Sequence, residues 1–230
     1  MIKGIAKTSL VDVPGKVCCT LFLGGCNFRC GYCYNSELVL RQNSLSDIPE
    51  SEILEYLDTR KKHIEAVCIT GGEPTLHPKL ISLCRSLKKL GYYVKLDTNG
   101  TNPTMVAQLI KEKIVDYIAM DIKGPAKKYS EIAEAKVDLE KIQETIKLLI
   151  YESPDYEFRT TVIPDIASFE DMVEIGKLIK GANRIYLQQF RPTTSTINPA
   201  FSKKEPVPRE RLESLKAGLE GFVKKVEIRA

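Results

Sequence analysis

The sequence has no tryptophan and only two histidines, His63 and His77, among 230 residues. Two imidazoles are too few for a histidine-based metal site. Without Trp, and without aromatic residues interleaved with basic ones, the chain has no stacking platform for bases, so nucleic-acid binding is not expected. A charge excess of one sign is also missing. The net charge is +4, and lysine pairs such as Lys127-Lys128 and Lys203-Lys204 read as solvated surface. No apolar run approaches the roughly 20 residues of a membrane span. The opening MIKGIAKTSL lacks the apolar stretch of a signal peptide. The expectation is a cytoplasmic protein with no membrane association. What the chain does hold is 43% hydrophobic and 28% charged residues, ordinary for a globular protein, and seven cysteines. An odd cysteine count without a signal reads as thiols in a reducing compartment.

Short apolar runs recur along the chain. They are Val17 to Leu23, Ala66 to Thr70, Tyr92 to Leu96, Val115 to Ile122, Phe158 to Ile163 and Arg184 to Phe190. Near-continuous apolar character suits parallel strands covered on both faces. Helical patterns lie between them: PESEILEYLDTRKK, with Ser46 and Asp47 as caps and Pro49 in its first turn; HPKLISLCRSLKKLG, started by His77 and stopped by Gly91; then TMVAQLIKEK, DLEKIQETIKLLI and SFEDMVEIGKLIKG. Strand followed by helix, six times, is the pattern of a parallel α/β fold. Six units are too few for the closed eight-stranded barrel. The expectation is a partial (β/α)6 TIM-like barrel, open on one side, in one domain spanning 1–230 with its core at 15–192. Residues 193–230 then form an extension: a Pro/Thr/Ser-rich loop over 191–211, a helix in ERLESLKAGLEG and a short strand in KKVEIR.

In such folds the active site lies at the carboxyl ends of the strands. There the first strand is followed by GCNFRCGYCYN, with Cys26, Cys30 and Cys33 spaced C-x3-C-x2-C. The second is followed by Gly71, Gly72, Glu73 and Pro74, the third by Asp97, Thr98, Asn99 and Gly100, the fourth by Asp121 and Lys123, and the sixth by Gln188 and Arg191. A structural zinc site or a ferredoxin-type cluster closes with four protein ligands. Three cysteines with no fourth suit a 4Fe–4S cluster with one iron open to a substrate or cofactor, although a zinc knuckle completed by His77 is the structural alternative. Two adjacent glycines let backbone approach a bound molecule, and Pro74 biases Glu73 toward an extended conformation, an arrangement suited to an amino group. Asp97 and Asp121 end apolar strands and need partners; Lys123 shares the strand face of Asp121. Cys18, Cys19, Cys68 and Cys84 read as packing thiols, and Arg29 as solvent-facing.

These residues resemble those of the radical S-adenosylmethionine (SAM) enzymes: the C-x3-C-x2-C loop, Tyr32 before its last cysteine, and GGEP. More narrowly, KTSLVDVPGK, TGGEPTL, LDTNG, AMDIKGP, FRTTVIP and LQQFRP resemble the glycyl-radical-enzyme activases, those of anaerobic ribonucleoside-triphosphate reductase most of all. The resemblance runs from Lys7 to Pro192. It implies that Cys26, Cys30 and Cys33 hold the cluster, that the fourth iron is chelated by SAM, and that reductive cleavage of SAM yields a 5′-deoxyadenosyl radical which takes a Cα hydrogen from a glycine of a partner protein. Gly72 and Glu73 would meet the methionyl amino group, with Gly71 also on the cofactor, and Asp121 and Lys123 would lie near its amino and carboxylate ends. Tyr32, Asn35, Gln188 and Arg191 would line the adenine side, and Asn99 the cofactor. A monovalent cation would sit on Asp97, Thr98, Met120 and Asp121. The implied partners are a glycyl-radical protein and a flavodoxin- or ferredoxin-type electron donor. A radical SAM enzyme acting on a small molecule of the deazaguanine type, and a zinc or iron–sulfur module without catalysis, are the competing readings.

Overall fold

The apolar runs become strands because each is short, rich in Val, Ile and Leu, and bounded by turn residues. The computed structural model describes residues 1–192 and 195–229. Its strands are β1 (Ile2–Ser9), β2 (Cys18–Leu23), β3 (Ala66–Gly71), β4 (Tyr93–Thr98), β5 (Tyr117–Asp121), β6 (Tyr156–Val162), β7 (Arg184–Gln189) and β8 (Lys225–Arg229). They form one sheet in chain order, β1 antiparallel to β2 and every later pair parallel. Helices α1 (Ser36–Leu40), α2 (Glu50–Arg60), α3 (Leu80–Lys89), α4 (Pro103–Lys111), α5 (Tyr129–Ala133), α6 (Leu139–Glu152), α7 (Phe169–Leu178) and α8 (Arg209–Ala217) fill the crossovers. Among the described residues β1 and β8 do not pair, so the sheet is a partial barrel, open between its two edges.

The six expected strands are β2 to β7, and KKVEIR supplies β8. Sequence reasoning missed β1. Its burial is slight, with Ile2 alone fully covered, and two register shifts interrupt its pairing, so no clean period of two is visible. Ser46 and Asp47 do not cap α2, which starts after Pro49 without a side-chain cap. Asp47 instead pairs with the amino terminus of Met1 and with Lys3 of β1, at 3.1 Å for the lysine. His77 does not start α3: it ends a 3-10 turn, Pro74–Leu76, and the helix begins at Leu80. Gly91 follows α3 with φ +90°, the left-handed position glycine tolerates. The loop expected over 191–211 carries a further 3-10 turn, Pro199–Lys203; its residues 193 and 194 lie outside the described residues.

Cys18, Cys19, Cys68 and Cys84 are all fully buried. Cys18 and Cys19 face opposite ways, Cys19 into the layer under the helices and Cys18 into the barrel beside Val13, Ala66 and Cys68. The barrel interior is polar further round. Glu157 of β6 is wholly buried, yet its carboxylate accepts from Arg229 Nη1 at 2.8 Å and Nη2 at 2.7 Å, and from the Tyr117 hydroxyl at 2.7 Å. A buried carboxylate is tolerable when its oxygens are met in this way.

Candidate active site

The cysteine loop leaves β2 through Gly24 and Gly25. Gly25 has φ +86°, donates its N–H to Leu38 at 2.8 Å, and accepts from the Glu73 N–H at 2.7 Å. A Cβ on Gly72 would lie 2.0 Å from the Gly25 carbonyl oxygen, so loop and strand end meet backbone to backbone and only glycine fits. Asn35 closes the loop by donating to the Gly71 carbonyl at 2.8 Å. The far side is tied down by Arg29 N–H to Ala133, Asn198 N–H to Gly31 and Ile197 N–H to Cys33. The Arg29 side chain is exposed and caps the carbonyls of Cys26 and Phe28.

Cys26, Cys30 and Cys33 line one cavity of about 290 Å³. Burial pushes the Cys26 thiol up to about 11, and raises Cys30 and Cys33 as well, against the opposing pull of Lys123. Iron would therefore displace protons as it binds. Among the described residues no three Cys, His, Asp or Glu side chains converge on a point where one metal ion could sit. A single zinc needs its donors about 2.0 to 2.3 Å from one centre. Three cysteines lining one cavity with no fourth protein ligand among the described residues fit a cluster of several irons with one iron left open. His77 does not complete a zinc site: its Nε2 is 2.7 Å from the Gly24 carbonyl.

The same cavity is lined by Tyr32, Asn35, Gly71, Gly72, Glu73, Asp97, Thr98, Asn99, Asp121, Lys123 and Gln188. Two predicted residues lie elsewhere. Arg191 is exposed and its backbone N–H donates to the Tyr34 hydroxyl at 2.8 Å. Met120 is buried under the sheet, its Cε 2.1 Å from where a Gly100 Cβ would be. The Glu73 carboxylate does not reach out. It is 1% exposed and accepts from Thr98 Oγ1 at 2.7 Å, Asn99 N–H at 2.6 Å and Thr75 N–H at 3.1 Å. Burial raises its pKa, and these donors oppose the rise. Glu73 thus locks the mouth of β3 to that of β4, leaving backbone to face a ligand.

Sequence reasoning missed Arg159. Its guanidinium stands between the two acids, Nε on Asp121 Oδ1 at 2.8 Å and Nη1 on Asp97 Oδ2 at 3.2 Å. Lys95 takes Asp97 Oδ1 and Lys123 takes Asp121 Oδ2 at 3.1 Å. Burial would raise both carboxyls, but Arg159, with Lys95 or Lys123, outweighs it; Asp97 ends below its usual value and Asp121 at about 2. Thr98 Oγ1 is spent on Glu73. The residues expected to bind a monovalent cation therefore do not fit one as arranged: all four carboxylate oxygens already face a protein cation. Arg159 was as legible as Asp97, being a charge inside the apolar run FRTTVI.

Comparison with known proteins bears on this geometry. The profile of the Radical SAM superfamily matches residues 20–184. A Methanocaldococcus jannaschii protein, whose name assigns it provisionally to the glycyl-radical enzyme activating enzymes, is 35% identical over 91% of this chain and 87% of its own. A 7-carboxy-7-deazaguanine synthase of Neisseria meningitidis is 39% identical, over 44% of this chain and 42% of its own. The fold is that of Streptococcus suis SuiB in its crystal structure bound to S-adenosylmethionine, with a TM-score of 0.67 and 16% identity; 92% of this chain matches 52% of SuiB, so it spans about half the length of that protein.

Proposed function

This chain belongs to the Radical SAM superfamily, and from that premise we propose that it installs a glycyl radical on a partner protein, an anaerobic ribonucleoside-triphosphate reductase. The observation that carries the reading is the match of 35% identity along nearly all of both chains to an activating-enzyme relative. When bound, the reduced 4Fe–4S cluster and SAM supply a 5′-deoxyadenosyl radical that takes a hydrogen atom from carbon.

The chain's own residues prepare the site for that chemistry. Cys26, Cys30 and Cys33 would hold three irons and leave the fourth open. Backbone at Gly71 to Glu73 would receive the amino group of SAM, with Asp121 and Lys123 at its amino and carboxylate ends. Tyr32, Asn35 and Gln188 would bound the adenine. The gap between β1 and β8 leaves a side of the barrel through which a glycine-bearing loop could enter. A flavodoxin- or ferredoxin-type protein would supply the electron, in the cytoplasm. We take residues 15–192 as the catalytic core and 193–230 as an extension of the same domain. No helix among the described residues is long and apolar enough to cross a membrane.

The test is anaerobic reconstitution with iron and sulfide, then reduction with SAM and the reductase. A glycyl doublet in the electron paramagnetic resonance spectrum of the partner is expected. Formation of 5′-deoxyadenosine with a deazaguanine precursor, and no signal on the reductase, would favour small-molecule chemistry. The Neisseria deazaguanine synthase matches less than half of either chain, and a second such synthase, of Methanospirillum hungatei, matches 61% of this chain and 56% of its own, both below the coverage of the activating-enzyme relative.

A further inference from the structure

Five charged side chains alternate in sign across the inner face of β4, β5 and β6: Lys95, Asp97, Arg159, Asp121 and Lys123. The strand register produces the order. Lys95 and Asp97 share one face of β4, and Arg159 sits directly opposite Asp121 in the β5–β6 ladder. Three cations serve two carboxylates, so the group carries one net positive charge with no metal ion. A sodium or potassium ion entering between Asp97 and Asp121 would have to evict an ammonium or a guanidinium already stripped of water.

Lys95 is the least able to leave. It is 2% exposed, and among the described residues Asp97 is its sole carboxylate partner; its other polar neighbour is the Cys68 sulfur at 3.8 Å. Burial works against its charge, but Asp97 more than restores it and raises the pKa above that of an ordinary lysine. Without Asp97 the ammonium would be a buried charge with no counterion, which burial strongly disfavours. Arg159 is tied in a different way, through two nitrogens of one planar fork on two different acids, a bridge that a spherical ion cannot copy.

We propose that this protein dispenses with a monovalent metal cation: Lys95 and Arg159 hold the place of one on Asp97 and Asp121 and keep both carboxylates oriented at the floor of the cavity. Both are positioning residues. Only the expected effect on SAM affinity rests on the cavity being the SAM site; the replacement of the cation, read by melting, does not.

The protein as isolated is melted in potassium, sodium and tetramethylammonium chloride at one ionic strength, and SAM is then titrated into the reconstituted protein in the same salts. The wild type should melt at one temperature and bind SAM within about twofold in all three. Lys95→Met is close in shape but uncharged. It should melt lower in tetramethylammonium and recover in sodium or potassium, and its SAM affinity should fall about tenfold and return with the alkali ion. Arg159→Lys keeps a charge without the fork and should fall between. A wild type whose melting temperature or SAM affinity rises with sodium or potassium overturns the proposal, and so does a folded Lys95→Met indifferent to the cation. Should Lys95→Met not fold, the wild-type comparison decides alone. The expected melting pattern in a protein that binds no SAM in any salt would refute the cofactor reading and leave this inference standing.

Discussion

The two walls of the cavity differ in what they leave undone. The wall over β4, β5 and β6 is complete in itself: every carboxylate oxygen of Asp97 and Asp121 has a cation, and every oxygen of Glu73 a donor. The cysteine wall is unfinished. Its backbone is pinned at Gly25, Arg29, Gly31 and Cys33, while burial raises its three thiols above their usual pKa. One wall has its charges paired by folding alone; the other presents on a rigid frame the thiols that would hold iron. A site divided in this way can take up its inorganic part without rearranging the part that orients the organic one.

That contrast can be broken at either wall. The largest effect is expected from Cys30→Ala, which leaves two thiolates for a body that needs three. Iron and sulfide content after reconstitution should fall to background, with melting temperature changed little, because the frame is held by backbone. Next comes Asp121→Ala. It should weaken SAM binding by about tenfold or more in calorimetric titration, as loss of a charge-assisted contact does, while iron content stays at the wild-type level. Iron lost together with SAM affinity would place Asp121 on the cysteine wall and erase the distinction.

The smallest effect separates the walls by pH. A carboxyl held below its usual value stabilises the fold above that value and ceases to do so as pH falls through the folded-state value. For Asp121 the window runs from its usual 3.8 down to about 2, and the contribution at stake is on the order of 1–2 kcal/mol. Urea unfolding at pH 5 and pH 3 should show this loss in the wild type and less of it in Asp121→Asn. The thiols respond in the opposite sense. Because burial raises them, iron uptake releases protons, and cluster assembly should improve from neutral pH toward pH 8.5. Equal uptake across that range would mean that the thiols are already ionised.

Much of this site could be read from the sequence because its unusual residues share a location. Three cysteines in one loop, paired glycines after an apolar strand, and acids at strand ends could each be turn chemistry alone, but the parallel fold sends them all to one rim. The six central strands were legible as short apolar runs, even though the inward faces of β4 and β6 carry Lys95, Asp97, Glu157 and Arg159. β1 was not, because an edge strand with lysines and a broken register gives no period. Arg191 was placed by a resemblance that weakens at Pro192, and the structure turns it to the surface. The cation ligands were assigned one by one, whereas the fit of a metal depends on what else reaches the same oxygens. Lys95 sits in YYVKL two residues before Asp97 and so on the same strand face, as legible as Lys123 beside Asp121; it is the cross-strand reach of Arg159 to both acids that only the fold shows.

The pairing of Glu157 with Arg229 ties the centre of the sheet to its last strand. As the chain emerges from a ribosome, Glu157 appears 72 residues ahead of the guanidinium that neutralises it. Until then it lacks that bidentate partner, and burying it is unfavourable. Docking of β8 therefore brings the two-pronged guanidinium that makes burial of this carboxylate tolerable, and the strand furthest along the chain completes the inside of the catalytic sheet.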